Sequence, residues 1–230
     1  MNKFRSIICV SAVYFSGLGV GLAGDESKRL HNSIAYYFDS RDFNTLALNT
    51  SAKLPLGFKL WGFTDFHGNQ NAASKYRLER FFMEYRIMRD LPETWVFGIK
   101  GLGLLTEFNN FNGSDNDLFR FGPYISRKLN LPWGRVASLQ LRAFPFETES
   151  NNSQLSLSYL VPFSDKWSLS GFADINFIEG GPDRWVIEPQ LNYKLNDRMN
   201  LLLEYRYNGF ESANPDLRGS GVALGMNIKF

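Results

Sequence analysis

The chain has 230 residues, with 25 basic and 23 acidic side chains, 16% aromatic residues and one cysteine. A near-neutral balance argues against a nucleic-acid polymer as partner. A lone thiol excludes a disulfide framework, and past residue 24 no apolar run reaches the roughly 20 residues that a spanning helix needs.

Residues 1–24 read as a secretory signal. Lys3 and Arg5 supply the positive start, and Ile7 to Ala23 supply the apolar middle with small residues near its end. An uncleaved membrane helix is the alternative. Cleavage after Gly24 would remove Cys9 and both basic residues, leaving 23 basic against 23 acidic groups.

From residue 25 onward, alternating segments of about ten residues are separated by polar breaks, the length that a tilted strand needs to cross a bilayer. Twelve segments are expected, with ten as the alternative because the first pair is weakly patterned. The first covers about 31–39 and the second about 43–53. Leu54-Pro55-Leu56-Gly57 turns into the third, about 58–67, and the polar residues Gly68 to Ser74 follow. The fourth, about 76–89, sets Phe81, Met83, Tyr85 and Ile87 against Arg80, Phe82, Glu84 and Arg86. A short turn at Leu91-Pro92-Glu93 predicts the fifth over about 95–107, opened by Trp95, and a loop over Asn109 to Asn116. The sixth, about 118–128, opposes Phe119, Phe121 and Ile125 to Arg120, Tyr124 and Ser126. The seventh, about 135–146, opposes Ala137, Leu139, Leu141 and Ala143 to Ser138, Gln140, Arg142 and Phe144. The eighth to eleventh cover about 154–162, 167–177, 184–195 and 200–209.

The last stretch, Gly219 to Phe230, is the clearest. Val222, Leu224, Met226, Ile228 and Phe230 are apolar, and Gly221, Ala223, Gly225, Asn227 and Lys229 between them are small or polar. A period of two ending on an aromatic residue fits a closing strand that pairs with the first strand of a barrel. The breaks alternate in length, short after even-numbered segments and generally longer after odd-numbered ones. Together these features predict an all-β fold, an antiparallel transmembrane β-barrel over residues 25–230. A soluble β-sandwich is the competing fold. It would have to bury an apolar face that runs almost uninterrupted over many strands. Tryptophans near the segment ends, Trp95, Trp133, Trp167 and Trp185, suit headgroup level.

The polar face of each strand would then look into the lumen. It carries Lys59, Asp65, Arg80, Glu84, Arg86, Lys100, Arg120, Arg142, Asp174, Glu188, Lys194, Glu204, Arg206 and Lys229. Trp61, Phe63, Phe82, Tyr124, Phe144, Phe172, Asn176, Gln190 and Asn192 share that face. Two readings compete. In one, rings and charges line a narrow passage for a flat polar solute. In the other, the charges pair with one another and plug a scaffold whose function lies in its loops.

Short patches of the sequence bear on that choice: Asn44-Thr45, Ala52-Lys53, Gly62-Phe63-Thr64-Asp65-Phe66 with Gly68, Phe82-Met83-Glu84 leading into Arg86, Phe121-Gly122-Pro123, Ser170-Gly171-Phe172-Ala173-Asp174 and Glu188-Pro189-Gln190. In these the chain resembles the nucleoside-specific channel-forming outer-membrane porins (Tsx-like) and their shorter relatives, over most of residues 43–230. The resemblance implies a monomeric twelve-stranded barrel in the Gram-negative outer membrane, a solute-selective channel, and nucleosides as a solute class. Outer-membrane lipid and the barrel-assembly machinery, through the strand Gly219–Phe230, are the expected partners. The matched lumen positions are Phe63, Asp65, Phe82, Glu84, Arg86, Phe172, Asp174, Glu188 and Gln190. With Arg80, Arg120, Tyr124, Arg142, Glu204 and Arg206 they form the expected solute path.

Catalysis and cofactors are not expected. His31 and Ser33 stand two residues apart on one strand face, the spacing of a lipid-cleaving pair, but no orienting third group can be assigned. With only two histidines, no metal ligand set is evident. A selective passive channel is therefore the first reading, a closed structural or adhesive barrel the second, and a lipid-modifying enzyme a distant third.

Overall fold

The computed structural model describes residues 30–70, 78–111, 117–210 and 217–230, and the expected signal at 1–24 lies outside these. Thirteen strands follow in chain order: β1 Leu30–Asp39, β2 Phe43–Lys53, β3 Phe58–Asn69, β4 Arg80–Asp90, β5 Leu102–Phe111, β6 Leu118–Asn130, β7 Val136–Phe144, β8 Phe146–Glu147, β9 Ser153–Pro162, β10 Trp167–Phe177, β11 Arg184–Lys194, β12 Met199–Asn208 and β13 Gly219–Lys229. The two-residue β8 continues β7 past Pro145, so the sheet has twelve staves. Each pairs antiparallel with its neighbours, and β1 pairs with β13 to close an antiparallel barrel.

Closure rests on the last strand. The register runs from Ser33 opposite Lys229 to Asp39 opposite Ala223. At one end Ser40 N donates to the Val222 carbonyl and Val222 N donates to Ser40 Oγ, and at the other Phe230 N donates to the Asn32 carbonyl. The small lumen residues of β13 have a steric cause. A Cβ at Gly225 would come within 2.6 Å of the Tyr37 ring, which lies over the glycine. Tyr37 donates across the lumen to Gln190 Oε1 at 3.0 Å.

The stave made of β7 and β8 is bent. Tyr124 faces Arg142 and Phe121 faces Phe146, so three residues, Ala143 to Pro145, oppose the two residues Gly122 and Pro123. This is a β-bulge. It brings the Ala143 carbonyl to where a Cβ on Gly122 would sit, and it tucks Phe144 inside at 1% exposure.

The outside is apolar on every side. Phe38, Leu48, Ile87, Leu104, Phe121, Leu141, Leu157, Leu203 and Leu224 are all exposed there. Such a ring suits hydrocarbon rather than water. In a bilayer, Leu203→Arg should cost about 2–4 kcal/mol. Denaturant unfolding from lipid vesicles would measure it, with a cost below about 1 kcal/mol as the contrary result.

The region after β4 departs from the sequence expectation. Residues 95–101 are not strand. Glu93–Trp95 form a 3-10 turn, and Phe97 (φ 54), Gly98 (φ 79) and Gly101 (φ 63) take left-handed conformations. The break between β4 and β5 is therefore eleven residues long, not a short turn, and Trp95 and Lys100 lie in it. Strand β5 instead runs through Asn109 and Asn110 to Phe111, where a loop was expected. Farther along the chain, Trp167 opens β10 and packs against Tyr193 at 4.7 Å with the ring planes tilted 51°, as strand-end residues on the outer face.

Candidate functional site: the barrel lumen

Period two sends alternate side chains inward, and the cross-strand register fixes which ones meet. Pairings such as Phe63–Glu84, Asp65–Phe82, Tyr124–Arg142 and Phe172–Glu188 put the expected path residues on the inner face. Among the other charges expected on that face, Lys100 is the exception, lying in the β4–β5 turn.

On one wall the charges form a chain of ion pairs. Arg86 pairs with Glu84 and donates to Glu107 Oε2 at 2.7 Å. Arg120 reaches Glu107 Oε1 and Glu147 Oε2, both at 3.1 Å. Glu107 is 1% exposed and also accepts from Asn109 at 3.1 Å. Next to them Arg142, 2% exposed, has no carboxylate partner among the described residues. It donates to Gln140 and Ser158 at 3.2 Å each and to Ser156. Gln154 ties Asp174 and Asn176 together at 3.3 and 3.0 Å.

The facing wall has a second centre. Arg206 pairs with Glu204, reaches Asp39 Oδ2 at 3.5 Å and Thr45 Oγ1 at 3.2 Å, and lies 4.7 Å over the Tyr37 ring. Arg41 bonds the same Asp39 carboxylate at 2.8 and 2.9 Å. Asp65 and Glu188 stand within electrostatic reach of Arg206. Arg206 persists at this depth because Glu204, Asp39 and Thr45 repay its lost hydration.

Between the centres runs a line of rings. Trp61 meets Phe63 at 5.6 Å, Phe63 meets Phe82 at 5.6 Å, and Phe82 meets Phe111 at 4.7 Å. Arg86 lies over Trp61 at 4.5 Å. Phe172 is on the inner face of β10 and Arg80 stands opposite His67. Tyr124 sits nearer the chain-termini end and donates to Asp90 at 2.5 Å.

Among the described residues, buried polar atoms in this lumen without a protein hydrogen-bond partner include Arg142 Nε, Asp174 Oδ1 and Asn109 Oδ1. Each needs water or a solute group to complete its bonding.

Sequence reasoning missed Glu107, Asp39 and Glu147, which hold the arginines. A signal for Glu107 existed. Leu104, Thr106 and Phe108 alternate with Leu105, Glu107 and Asn109, which predicts a strand through Asn109. His31 and Ser33 line a common cavity with Asn49, Ser51 and Trp61. No group of three or more His, Cys, Asp or Glu side chains among the described residues is placed to hold a metal.

No protein-family model matches the chain, and no curated protein sequence matches it. Solved structures do. The KdgM porin in complex with disordered oligogalacturonate is 12% identical, with a TM-score of 0.51 over 87% of this chain and 99% of that one. The NanC porin is 9% identical, with a TM-score of 0.56 over 86% of this chain and 98% of that one. At such identities the likeness is one of fold: a twelve-stranded antiparallel barrel shared with outer-membrane porins.

Proposed function

We propose that the chain is a passive channel of the Gram-negative outer membrane, selective for small polar solutes. The observation that carries this reading is the set of unpartnered lumen atoms on Arg142, Asp174 and Asn109. A plug that served only stability would satisfy its buried polar groups, because an unmade bond costs about 1–3 kcal/mol. A passage leaves some free for the hydration shell or hydroxyls of what moves through. The ring line from Trp61 to Phe111 offers faces on which a flat solute can stack, by about 1–3 kcal/mol per ring for nucleic-acid bases. That chemistry agrees with nucleosides, the class implied by the Tsx-like resemblance. The oligogalacturonate bound to KdgM is likewise a hydroxylated solute. The chain acts as a monomer, with its terminal end toward the periplasm and β13 as the strand that the assembly machinery engages.

The closed-scaffold reading draws on contacts that cross the lumen, such as Gln140 to Met88 at 3.9 Å. Conductance in a planar bilayer separates the two. The expected result is a small steady conductance that nucleosides block saturably and sugars do not, with the block weakened about tenfold or more in Phe82→Ala. A folded protein that passes no current at any voltage would overturn the channel.

A further inference from the structure

The lumen is layered along its axis. The loop-end half holds the ion pairs. Below it, toward the termini, lies a neutral polar belt that includes Ser33, Asn49, Ser51, Ser126, Gln140 and Ser158. Last comes a collar of lysines at the terminal ends of the staves: Lys53 on β2, Lys59 on β3, Lys128 on β6, Lys194 on β11 and Lys229 on β13. The register puts all five in lumen phase. The acid in phase with them, Asp90, is already engaged by Lys59 at 2.5 Å and by Tyr124. Lys194 pairs with Asp197 at 2.6 Å in the adjoining turn, where that hydrogen bond holds the Asp197 carboxyl below the usual carboxylate range. Lys53, Lys128 and Lys229 have no ion pair among the described residues, and all are exposed. Lys53 and Lys229 flank β1 on staves two and twelve, and Lys128 stands across the ring on stave six.

Open spaces adjoin two of these ammonium groups, Lys229 and Lys128. A cavity of about 200 Å³ is lined by Ser33, Asn49, Ser51, Trp61 and Lys229. Another, of about 480 Å³, is lined by Ser126, Lys128, Ser138, Gln140 and Ser158. The first sets Lys229 among hydroxyl and amide groups, and the second sets Lys128 and Arg127 among them, with Leu139, Tyr159 and Leu160 completing its lining. An ammonium takes the charged end of an anion, and the neutral groups bond to its hydroxyls. One sign of charge around a low-dielectric mouth also concentrates counter-ions.

From this layering we infer that the terminal mouth is an anion-binding vestibule, which receives small hydroxylated organic anions bearing a carboxylate or phosphate. The inference rests on the channel reading for transport and narrows its ionic preference to anions.

The test uses the mature chain in planar bilayers, with citrate as the probe anion added to one side at a time. Citrate should reduce the current at a concentration about tenfold lower from the terminal-end side than from the loop side. The triple change Lys53→Glu, Lys128→Glu, Lys229→Glu should erase that difference, and the Gln triple should do so in part. Equal block from both sides, or a difference that survives both triples, overturns the vestibule while leaving the channel intact. A second readout needs no current. With Trp95, Trp133, Trp167 and Trp185 replaced by Phe, Trp61 reports on the first cavity. Iodide should quench it several-fold more steeply than caesium, and the Glu triple should invert that order. Equal quenching by the two ions overturns the vestibule even in a barrel that does not conduct.

Discussion

Glu107→Ala should destabilise the barrel by about 3–5 kcal/mol, the usual cost of breaking one side of a buried ion pair. Glu107 is the acid between Arg86 and Arg120, and it also accepts from Asn109. Its loss leaves two guanidinium groups in a space from which water is largely excluded, each with a single carboxylate remaining: Glu84 for Arg86 and Glu147 for Arg120. Glu107→Gln keeps an acceptor and should cost less than the alanine change. Urea midpoints of protein folded into vesicles provide the measurement. A loss under about 1 kcal/mol would show that Glu107 lies in a hydrated lumen where exposed-pair energetics apply.

Arg206→Leu should be as damaging, by about 3–5 kcal/mol, and should also change ion preference. This guanidinium neutralises the centre formed by Asp39 and Glu204, with Asp65 and Glu188 close by, and stacks on Tyr37. Without it Arg41 is left to balance Asp39, and the facing wall carries an excess of carboxylates. Reversal potentials under a salt gradient should move toward cation preference relative to the parent. A shift toward anions would mean that the lumen potential is set elsewhere. Because Glu107 and Arg206 belong to different walls with no shared partner, their stability losses should add in the double variant.

The sequence carries the phase of nearly every stave, because a period of two is a local property that needs no knowledge of neighbours. Val222 to Ile228 on β13 and Arg80 to Arg86 on β4 show it plainly. It does not carry axial height. Whether Lys229 and Lys128 stand in the same layer depends on how each strand slides against the next, and on bulges such as the one at Phe144-Pro145. The layering of collar, belt and ion pairs is therefore not legible in the sequence, and Lys53 and Lys128 were not among the expected lumen charges. The misplaced start of β5 has a local cause. Trp95, Phe97 and Ile99 alternate with Val96, Gly98 and Lys100, so the eleven-residue turn imitates a strand. The left-handed backbone at Phe97, Gly98 and Gly101 breaks it. Glu107 lies midway along β5 but was missed because the expected strand stopped there, and Asp39 because it is the last residue of a weakly patterned strand.

The seam between the first and last strands is bonded along its length and pinned on its inner side. Tyr37 fills the notch over Gly225, reaches across to Gln190, and is capped by Arg206. Parting β1 from β13 would strip all of these at once, together with the main-chain ladder, while facing hydrocarbon that offers no replacement bonds. Sideways escape into the bilayer through this joint is therefore closed. In the proposed channel, a solute that enters one mouth must either leave by the other or turn back, and the order of chemistries that it meets on the way is fixed.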